Sequence, residues 1–259
     1  MSVKSGSAGD TILRRPVEIV CHKGANEYAP ENTFAAAQLC LDWGVDYVEV
    51  DVWPSRDGVF YLLHDATVDR TTNGTGHIVA LTSKEIDGLD AGSWFSPQFA
   101  GERVPRLEDF LRWIKGRAKV FLDVKFAHPQ QLIDLLYETG MAHDCFLWSH
   151  SPRWMRLARE LDPTLALKVN VASIADVVEA HERYHADIVE VRLDDMSQGL
   201  VEACCRRGIK VMVIQMEKDP QAFREVLAWG ADMVNLNHAD TLLRVLATCE
   251  GGEVHDQVD

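Results

Sequence analysis

Short runs of β-branched and other apolar residues alternate along the chain with longer segments in which apolar residues recur at helical spacing. Eight such runs occur, at residues 17–22, 46–51, 119–125, 144–149, 165–170, 187–192, 210–215 and 232–237. In the segments between them, apolar residues recur three or four positions apart, as at Phe34, Ala37 and Leu41. Strands that alternate with amphipathic helices form parallel sheets covered by helices. Eight such units in a chain of about 250 residues predict an α/β protein with a closed (β/α)8 TIM barrel.

The alternative arrangement for this pattern is an open, doubly wound sheet. That fold usually carries a GxGxxG phosphate turn after its first strand, and the sequence contains no such motif. The alternation breaks once, after the second strand, where Asp57 and Gly58 are typical of a hairpin turn. Residues 65–105 are rich in Gly, Thr and Asp and hold no pattern for a long helix. We therefore expect the barrel to carry an inserted hairpin and loop segment, over about residues 54–105, after strand 2.

No internal stretch has the composition of a linker between domains. The sequence predicts a single domain over residues 17–248, with flexible ends at residues 1–16 and 249–259. The first ten residues lack the apolar core of a signal peptide, and no apolar run approaches the roughly 18 residues of a membrane helix. Six cysteines without metal-ligand spacing fit free thiols in a reducing compartment. These features predict a cytoplasmic protein that does not span a membrane.

The net charge of the chain limits the kinds of molecule that we expect it to bind. Lys and Arg number 26 against 40 Asp and Glu, which leaves a net charge of −14. Sequence-independent binding of nucleic acid needs a basic face, so we expect no nucleic-acid partner. A small anionic substrate stays compatible with this charge, because a metal or a local cluster of cations can reverse the field inside one cleft. A homo-oligomer is also compatible with the sequence.

Polar residues end the first predicted strands, at the end of the barrel where TIM-barrel active sites lie. They are His22 and Lys23 after the first strand, Glu49 and Asp51 on the second, His64 on the hairpin, and Asp123 and Lys125 on the third. Three carboxylates in one cleft would repel one another unless a divalent cation joined them. A set of oxygen ligands favours Mg²⁺ or Ca²⁺ over Zn²⁺, with Mn²⁺ as a further candidate.

Histidine and lysine beside such a cation suit phosphoryl chemistry. The cation and the lysines would hold a phosphate, while His22 and His64 would move protons near neutral pH. Each residue taken alone could be an ordinary solvated or hydrogen-bonded group at a strand end. Their occurrence together at the ends of neighbouring strands indicates an active site.

The last four strands each end in two polar residues on one face. The pairs are Lys168 with Asn170, Glu190 with Arg192, Gln215 with Glu217, and Asn235 with Asn237. Since inward positions deep in a barrel are normally apolar, we expect these pairs to line the mouth and bind a polar substrate arm rather than a lipid tail. The alternative is that some of them pair with one another or face solvent. Trp94 in the insertion is a further predicted substrate contact, because exposed loops rarely keep large aromatic residues uncovered.

Several motifs, in order along the chain, resemble the glycerophosphodiester phosphodiesterase family. They are His22-Lys23-Gly24, Pro30-Glu31-Asn32-Thr33, Glu49-x-Asp51, His64-Asp65, and residues 69–76, 89–92 and 104–107. The resemblance covers roughly residues 17–128 and beyond them depends on the barrel pattern. It implies metal-dependent hydrolysis of a small phosphodiester, similar to a glycerophosphodiester, to an alcohol and a phosphomonoester of the glycerol phosphate type.

The resemblance also implies roles for individual residues. These are Glu49, Asp51 and Asp123 as ligands of one divalent cation, His22 and His64 as the acid and base, Lys23 and Lys125 as phosphate contacts, and Glu31 and Asn32 as braces of the turn after His22. The order of acid and base stays open. The nucleophile is either water or a neighbouring hydroxyl of the substrate, and the second route passes through a cyclic phosphate.

The sequence departs from the family pattern in two places near the predicted chemistry. Lys23 stands where the family usually has Arg, and Asp123 where it usually has Glu. The last two strands also end in residues unusual for the family, so the alcohol arm of the substrate stays open. Two alternatives follow: a lysophospholipase D that acts on lipids and needs an apolar groove, or a phosphodiester-binding relative with weak catalysis.

Overall fold

The computed structural model describes residues 16–250, and within them nine strands and nine α-helices follow one another along the chain. The strands are β1 Glu18–Cys21, β2 Tyr47–Pro54, β3 Phe60–Leu62, β4 Lys119–Val124, β5 Cys145–Trp148, β6 Ala166–Asn170, β7 Ile188–Arg192, β8 Lys210–Gln215 and β9 Met233–Leu236. The helices are α1 Phe34–Asp42, α2 Ser83–Ile86, α3 Leu107–Ile114, α4 Pro129–Thr139, α5 Pro152–Leu161, α6 Ile174–Tyr184, α7 Gln198–Cys205, α8 Pro220–Ala228 and α9 Ala239–Glu250. The predicted flexible ends fall almost wholly outside the described residues and stay predictions.

Eight of the strands close into a parallel barrel. Each of β2, β4, β5, β6, β7, β8 and β9 pairs in parallel with the next, and β1 pairs with both β2 and β9. All eight predicted strands are present, so the predicted TIM barrel is confirmed. Strand β3 adds an antiparallel hairpin to β2, with Gly58 in the turn at a φ of +85° that favours glycine. No helix among residues 16–250 is long and apolar enough to cross a bilayer.

Ser and Thr side chains fix the start of several barrel helices in the loops that follow the strands. Thr33, Ser151, Ser173 and Ser197 cap α1, α5, α6 and α7, and each accepts a hydrogen bond from the backbone N–H three residues later. Such caps satisfy N–H groups that a helix end leaves open. They hold the strand-to-helix loops on one end of the barrel, where strand-end side chains gather.

The inward side chains of the barrel are apolar in one layer and mostly polar in the next layer, two residues further along each strand. Its lower layer consists of Val20, Tyr47, Phe121, Phe146, Ile188, Met212 and Met233. Side chains alternate along a strand, so the residues two positions later point inward as well. That next layer consists of His22, Glu49, Asp123, Trp148, Lys168, Glu190, Ile214 and Asn235. We call it the polar ring, and it forms the floor of the barrel mouth.

The segment between β2 and α3 is a folded unit rather than an open loop. It has its own apolar cluster, which includes Tyr61, Ile78 and Ile86. Asp90 organises its tip by accepting hydrogen bonds from the backbone N–H groups of Ser93, Gly92 and Gly101, which hold its pKa well below the usual range. A Cβ at Gly92 would lie 1.9 Å from the Phe99 carbonyl oxygen, so only glycine fits there.

Lys168 and Glu190 form an ion pair inside the polar ring. Lys168 Nζ lies 2.6 Å from Glu190 Oε2 and 2.7 Å from Asn170 Oδ1, and Asn235 Nδ2 donates to Glu190 Oε1 at 2.8 Å. Lys168 is 1% exposed and Glu190 is 6% exposed. The ammonium also lies 4.3 Å from the ring centroid of Trp148, which adds a cation–π contact. Neither charged group is exposed to water. Each is therefore stable in the barrel interior only because the other neutralises it.

Breaking this pair from one side should be strongly destabilising. We expect Lys168→Met to lower the free energy of unfolding by about 3–5 kcal/mol, because it leaves Glu190 buried without a cation. Adding Glu190→Gln in the double variant should restore most of the loss. Urea denaturation followed by circular dichroism measures both. Arg183→Met, which removes an exposed ion pair to Glu179 on α6, is the matched control and should leave the midpoint unchanged. A loss from Lys168→Met no larger than the control's would contradict the pair's importance.

Candidate active site

Three buried carboxylates meet at the carboxyl end of β2 and β4. Glu49 is 1% exposed, Asp51 is 0% and Asp123 is 9%. Each offers an oxygen within 4.8 Å of an oxygen of the other two. The parallel register sets Asp51 directly opposite Asp123, while Glu49 lies two residues earlier on the same face of β2. The strand pairing therefore gathers the three acids that the sequence analysis selected as metal ligands.

The donor set of this carboxylate cluster fits a divalent cation. Asp123 Oδ1 is buried and accepts no hydrogen bond from any group among the described residues. A buried acceptor without a donor is costly, and a hard cation would satisfy it. The positive charge now beside the acids comes from Lys125, whose Nζ lies 2.9 Å from Asp51 Oδ1 and 2.5 Å from Asp123 Oδ2. The three residues could therefore hold a metal ion.

The electrostatics of the cluster show a shortage of positive charge. Burial raises the pKa of Glu49 well above its usual value, and the charges of Asp51 and Asp123 raise it further. Burial and the charge of Asp51 also raise the pKa of Asp123, against the opposing effect of Lys125. Burial by itself would lower the pKa of Lys125, but the two aspartates outweigh it and raise that pKa. The cluster thus favours any added cation.

His22 follows β1 and is held from one side of its ring. Its Nδ1 lies 2.9 Å from Asn237 Oδ1, which also accepts a hydrogen bond from Asn26 Nδ2 at 2.9 Å. Because an amide oxygen only accepts, the Nδ1 of His22 carries the proton and Nε2 keeps the lone pair. Burial lowers the pKa of His22, although the bond to Asn237 opposes that shift. The ring is therefore neutral near pH 7. Asn237 was predicted as a substrate contact, and in the structure its side chain accepts a hydrogen bond from the His22 ring.

His64 follows the hairpin strand β3 and has an ionised partner. Its Nδ1 lies 2.7 Å from Asp65 Oδ1. Arg70 donates from Nε to Asp65 Oδ2 at 2.6 Å and lowers the pKa of that carboxyl to about 2. The same guanidinium donates two hydrogen bonds to Glu31, at 2.9 and 2.7 Å. Arg70 thus links the insertion, which carries His64, to the loop that follows β1.

The turn after His22 is tied to the carboxylate cluster by backbone and side-chain hydrogen bonds. The backbone N–H of Lys23 donates to Glu49 Oε2 at 2.5 Å. Asn32 donates from Nδ2 to Asp51 Oδ2 at 2.7 Å and accepts from the Asp51 N–H at 3.0 Å. Its own N–H donates to the Lys23 carbonyl at 3.0 Å. Lys23 Nζ lies 3.7 Å from Glu31. Asn32 therefore holds Asp51 in place as well as the turn.

The structure separates the residues predicted to line a polar mouth into two groups. Lys168 and Glu190 lie in the buried polar ring and bind each other, which was the alternative raised by the sequence. Arg192 and Gln215 line a cavity of about 420 Å³ where β7 and β8 end. Trp94 is 39% exposed, and its indole N–H donates to a carbonyl within the insertion.

Several contributions to the site escaped the sequence analysis. Asn26 was not singled out, and Asp65 and Arg70 were noted only as parts of motifs. Asn235 was predicted to line the mouth, but its hydrogen bond to Glu190 was not predicted. Of these contacts, the sequence could have indicated only that of Arg70, because an Arg five residues after an acid in a loop favours a local ion pair. The partners of Asn26 and Asn235 lie 211 and 45 residues away, where sequence spacing gives no information.

Comparison with known proteins agrees with this geometry. The model of the "Glycerophosphoryl diester phosphodiesterase family" matches residues 22–241. A glycerophosphodiester phosphodiesterase of Caldanaerobacter subterraneus subsp. tengcongensis is 29% identical over 243 residues, covering 88% of this chain and 97% of that protein. The crystal structure of a glycerophosphodiester phosphodiesterase from Agrobacterium tumefaciens strain C58 has a TM-score of 0.85 and 38% identity, covering 88% of this chain and 99% of that one.

A more distant structure shares the fold. It is that of an Oleispira antarctica phosphodiesterase in complex with the product sn-glycerol-3-phosphate, with a TM-score of 0.81 at 24% identity, covering 89% of this chain and 96% of that one. The family match spans both the motif-rich first half and the barrel strands that follow. The chain therefore belongs to the glycerophosphoryl diester phosphodiesterase family, a family of phosphoric diester hydrolases, as its sequence motifs predicted.

Proposed function

We propose that this chain hydrolyses glycerophosphodiesters to an alcohol and a phosphomonoester of the glycerol phosphate type. The proposal depends above all on one observation: the cluster of Glu49, Asp51 and Asp123, whose oxygens lie within 4.8 Å of one another. Two histidines, each held through Nδ1, accompany that cluster. Membership of the family and the similarity to glycerophosphodiester phosphodiesterases support the same substrate class.

One divalent cation is part of the proposal, held by the three carboxylates. Oxygen ligands suit Mg²⁺ or Ca²⁺, with Mn²⁺ as a further candidate. When bound, the cation would polarise a phosphoryl oxygen and offset charge that develops there. Lys23 and Lys125 would neutralise the remaining phosphate oxygens. The Lys125 ammonium lies beside Asp51, while the Lys23 backbone N–H donates to Glu49 and its ammonium lies 3.7 Å from Glu31.

The histidines are proposed as an acid and base pair with distinct partners. His22 is neutral, and its Nδ1 proton is directed to the amide of Asn237, so its Nε2 suits the acceptance of a proton. Asp65 accepts a hydrogen bond from Nδ1 of His64 and fixes the orientation of that ring. We therefore infer that His22 acts as the base toward the nucleophile and His64 as the acid toward the leaving alkoxide.

The nucleophile is water or a hydroxyl of the glycerol arm. The second route forms a cyclic phosphate, which ³¹P NMR would detect before the monoester. A cytoplasmic location is retained as part of the proposal, supported by five free thiols among residues 16–248, whose side chains the structure describes.

Loss of either histidine should reduce turnover without unfolding the protein. We expect His22→Ala and His64→Ala each to lower kcat on a soluble glycerophosphodiester by about 10²–10⁴. His143→Ala, an exposed histidine before β5, is the control and should retain wild-type kcat. The measurement is alcohol release under saturating substrate, with circular dichroism to check folding. Near-wild-type turnover of either active-site variant would exclude the acid and base pair.

Removal of the side chain that clamps Asp51 should weaken the metal site. Asn32 has a φ of +57°, so Asn32→Gly deletes both hydrogen bonds to Asp51 while glycine retains that backbone conformation. We expect its affinity for Mg²⁺, Ca²⁺ or Mn²⁺ to fall by about 10–100-fold, as for other partners of ligating carboxylates.

The assay is titration of each cation into chelator-treated protein, followed both by calorimetry and by the recovery of activity. Gly58→Ala, in the hairpin turn away from the acids, controls for a general effect of backbone change. Equal cation affinity in Asn32→Gly and wild type would remove the role of Asn32. Activity unaffected by a chelator would remove the metal from the proposal.

A further inference from the structure

Arg70 binds two carboxylates that belong to two different loops of the active site. Its Nε donates to Asp65 Oδ2 at 2.6 Å, and its Nη2 donates to Asp65 Oδ1 at 3.2 Å. On its other side, Nη1 and Nη2 donate to Glu31 Oε2 and Oε1 at 2.9 and 2.7 Å. A guanidinium carries its donors in a fixed planar fork, so it can bind two carboxylates in one geometry. Arg70 therefore fixes Asp65 relative to Glu31.

The direction of the His64 ring depends on this arrangement. The same Asp65 Oδ1 that Arg70 binds lies 2.7 Å from His64 Nδ1. The side chains of His64 and Asp65 are 38% and 31% exposed, so packing alone does not hold them. Rotation of the Asp65 carboxylate would break its hydrogen bonds to Arg70. The orientation of His64 is thus set by a chain of hydrogen bonds that begins at the guanidinium.

Glu31 anchors Arg70 to the loop that follows His22. The Arg70 side chain is 45% exposed, whereas that of Glu31 is 12% exposed and lies in a fixed part of the loop. The next residue, Asn32, makes two hydrogen bonds with Asp51 and a third to the carbonyl of Lys23. A mobile guanidinium is therefore held by a carboxylate whose own position is determined by the site. Arg70 sets His64 in position relative to the loop of His22.

The insertion is attached to the barrel by contacts other than those of Arg70. The backbone N–H of Leu63 donates to the carbonyl of Asp51 at 3.0 Å, and Glu102 Oε1 accepts from the N–H of Ala35 at 3.3 Å. An apolar cluster fills its interior. Loss of Arg70 should therefore leave the insertion folded and attached. The hydrogen bonds of Arg70 serve the position of His64 rather than the fold.

We propose that Arg70 is a positioning residue that, through Asp65, aligns His64 with the leaving alkoxide. The inference rests on the proposed hydrolysis and adds to it a residue that contacts neither substrate nor cation. The reaction itself is unchanged. The P–O bond to the alcohol breaks, a P–O bond to the nucleophile forms, and the proton on His64 Nε2 passes to the alkoxide oxygen.

Two diesters that differ only in their leaving group test this role. They are the ethyl and p-nitrophenyl esters of glycerol 3-phosphate, assayed with the divalent cation that supports wild-type activity. Ethoxide needs a proton as it leaves, whereas nitrophenoxide does not. We expect Arg70→Gln to lower kcat/KM for the ethyl ester by about 10–100-fold, as for a misplaced reacting group. For the nitrophenyl ester, kcat/KM should stay within about twofold of wild type.

Two further variants separate positioning from a general loss of structure. Arg106→Gln is the matched control, because Arg106 is 40% exposed and binds Asp87 instead of a residue of the site. It should retain wild-type kcat/KM on both esters. Glu31→Gln keeps Arg70 but removes its charged anchor, and should show the leaving-group dependence of Arg70→Gln to a smaller extent. Circular dichroism checks the folding of each variant.

NMR spectroscopy tests the position of His64 without turnover. Long-range ¹H–¹⁵N spectra report which ring nitrogen carries the proton, and the His64 signals are those that His64→Ala loses. When the ring is neutral, we expect wild-type His64 to be protonated at Nδ1, since the hydrogen bond to Asp65 selects that tautomer. In Arg70→Gln, both tautomers should be present in exchange. Arg106→Gln should give the wild-type spectrum.

An equal loss of kcat/KM on the two esters in Arg70→Gln would overturn the proposal, and so would no loss on either. An unchanged His64 spectrum in that variant would overturn it as well. Should the Arg70 variant not fold, the same comparison in Glu31→Gln decides. If wild-type protein hydrolyses neither ester, the proposed hydrolysis is rejected, and the NMR comparison still shows whether Arg70 positions His64.

Discussion

Repulsion among three buried carboxylates is the constraint around which this end of the barrel is organised. Strand pairing forces Asp51 and Asp123 to face each other, and Glu49 lies on the same face one pleat below. Such a cluster is stable only if positive charge and hydrogen-bond donors surround it. Lys125, the amide of Asn32 and the backbone N–H of Lys23 supply part of that requirement. A divalent cation held by the three carboxylates would supply the rest of that positive charge.

Hydrogen-bond partners also fix the other polar side chains at the barrel mouth, some from distant strands and some from the same loop. His22 is oriented by Asn237 after β9, and His64 by Asp65 and Arg70 in the insertion. The two rings thus receive different partners, a neutral amide and an ionised carboxylate. This difference supports the roles proposed for His22 as base and His64 as acid.

The insertion contributes to the site through its attachment to the barrel. Its own apolar cluster fills its interior, and Arg70 links it to Glu31 in the loop that follows His22. Trp53 near the end of β2 stacks on Phe126 in the loop after β4, and its indole N–H donates to the carbonyl of His64 in the insertion. Within the polar ring, Lys168 and Glu190 are buried and bind each other, so they are not free to contact a substrate.

The sequence by itself determined the barrel, the insertion and the three acids. Periodicity reports which face of a strand a residue occupies, and β-branched runs separated by helical patterns report the order of strands. Glu49, Asp51 and Asp123 could be selected because strand ends in a barrel converge. The tertiary structure alone decided which partners the polar side chains take. Lys168 pairs with Glu190 across 22 residues and His22 with Asn237 across 215, and spacing along a chain carries no information about contacts between strands so far apart.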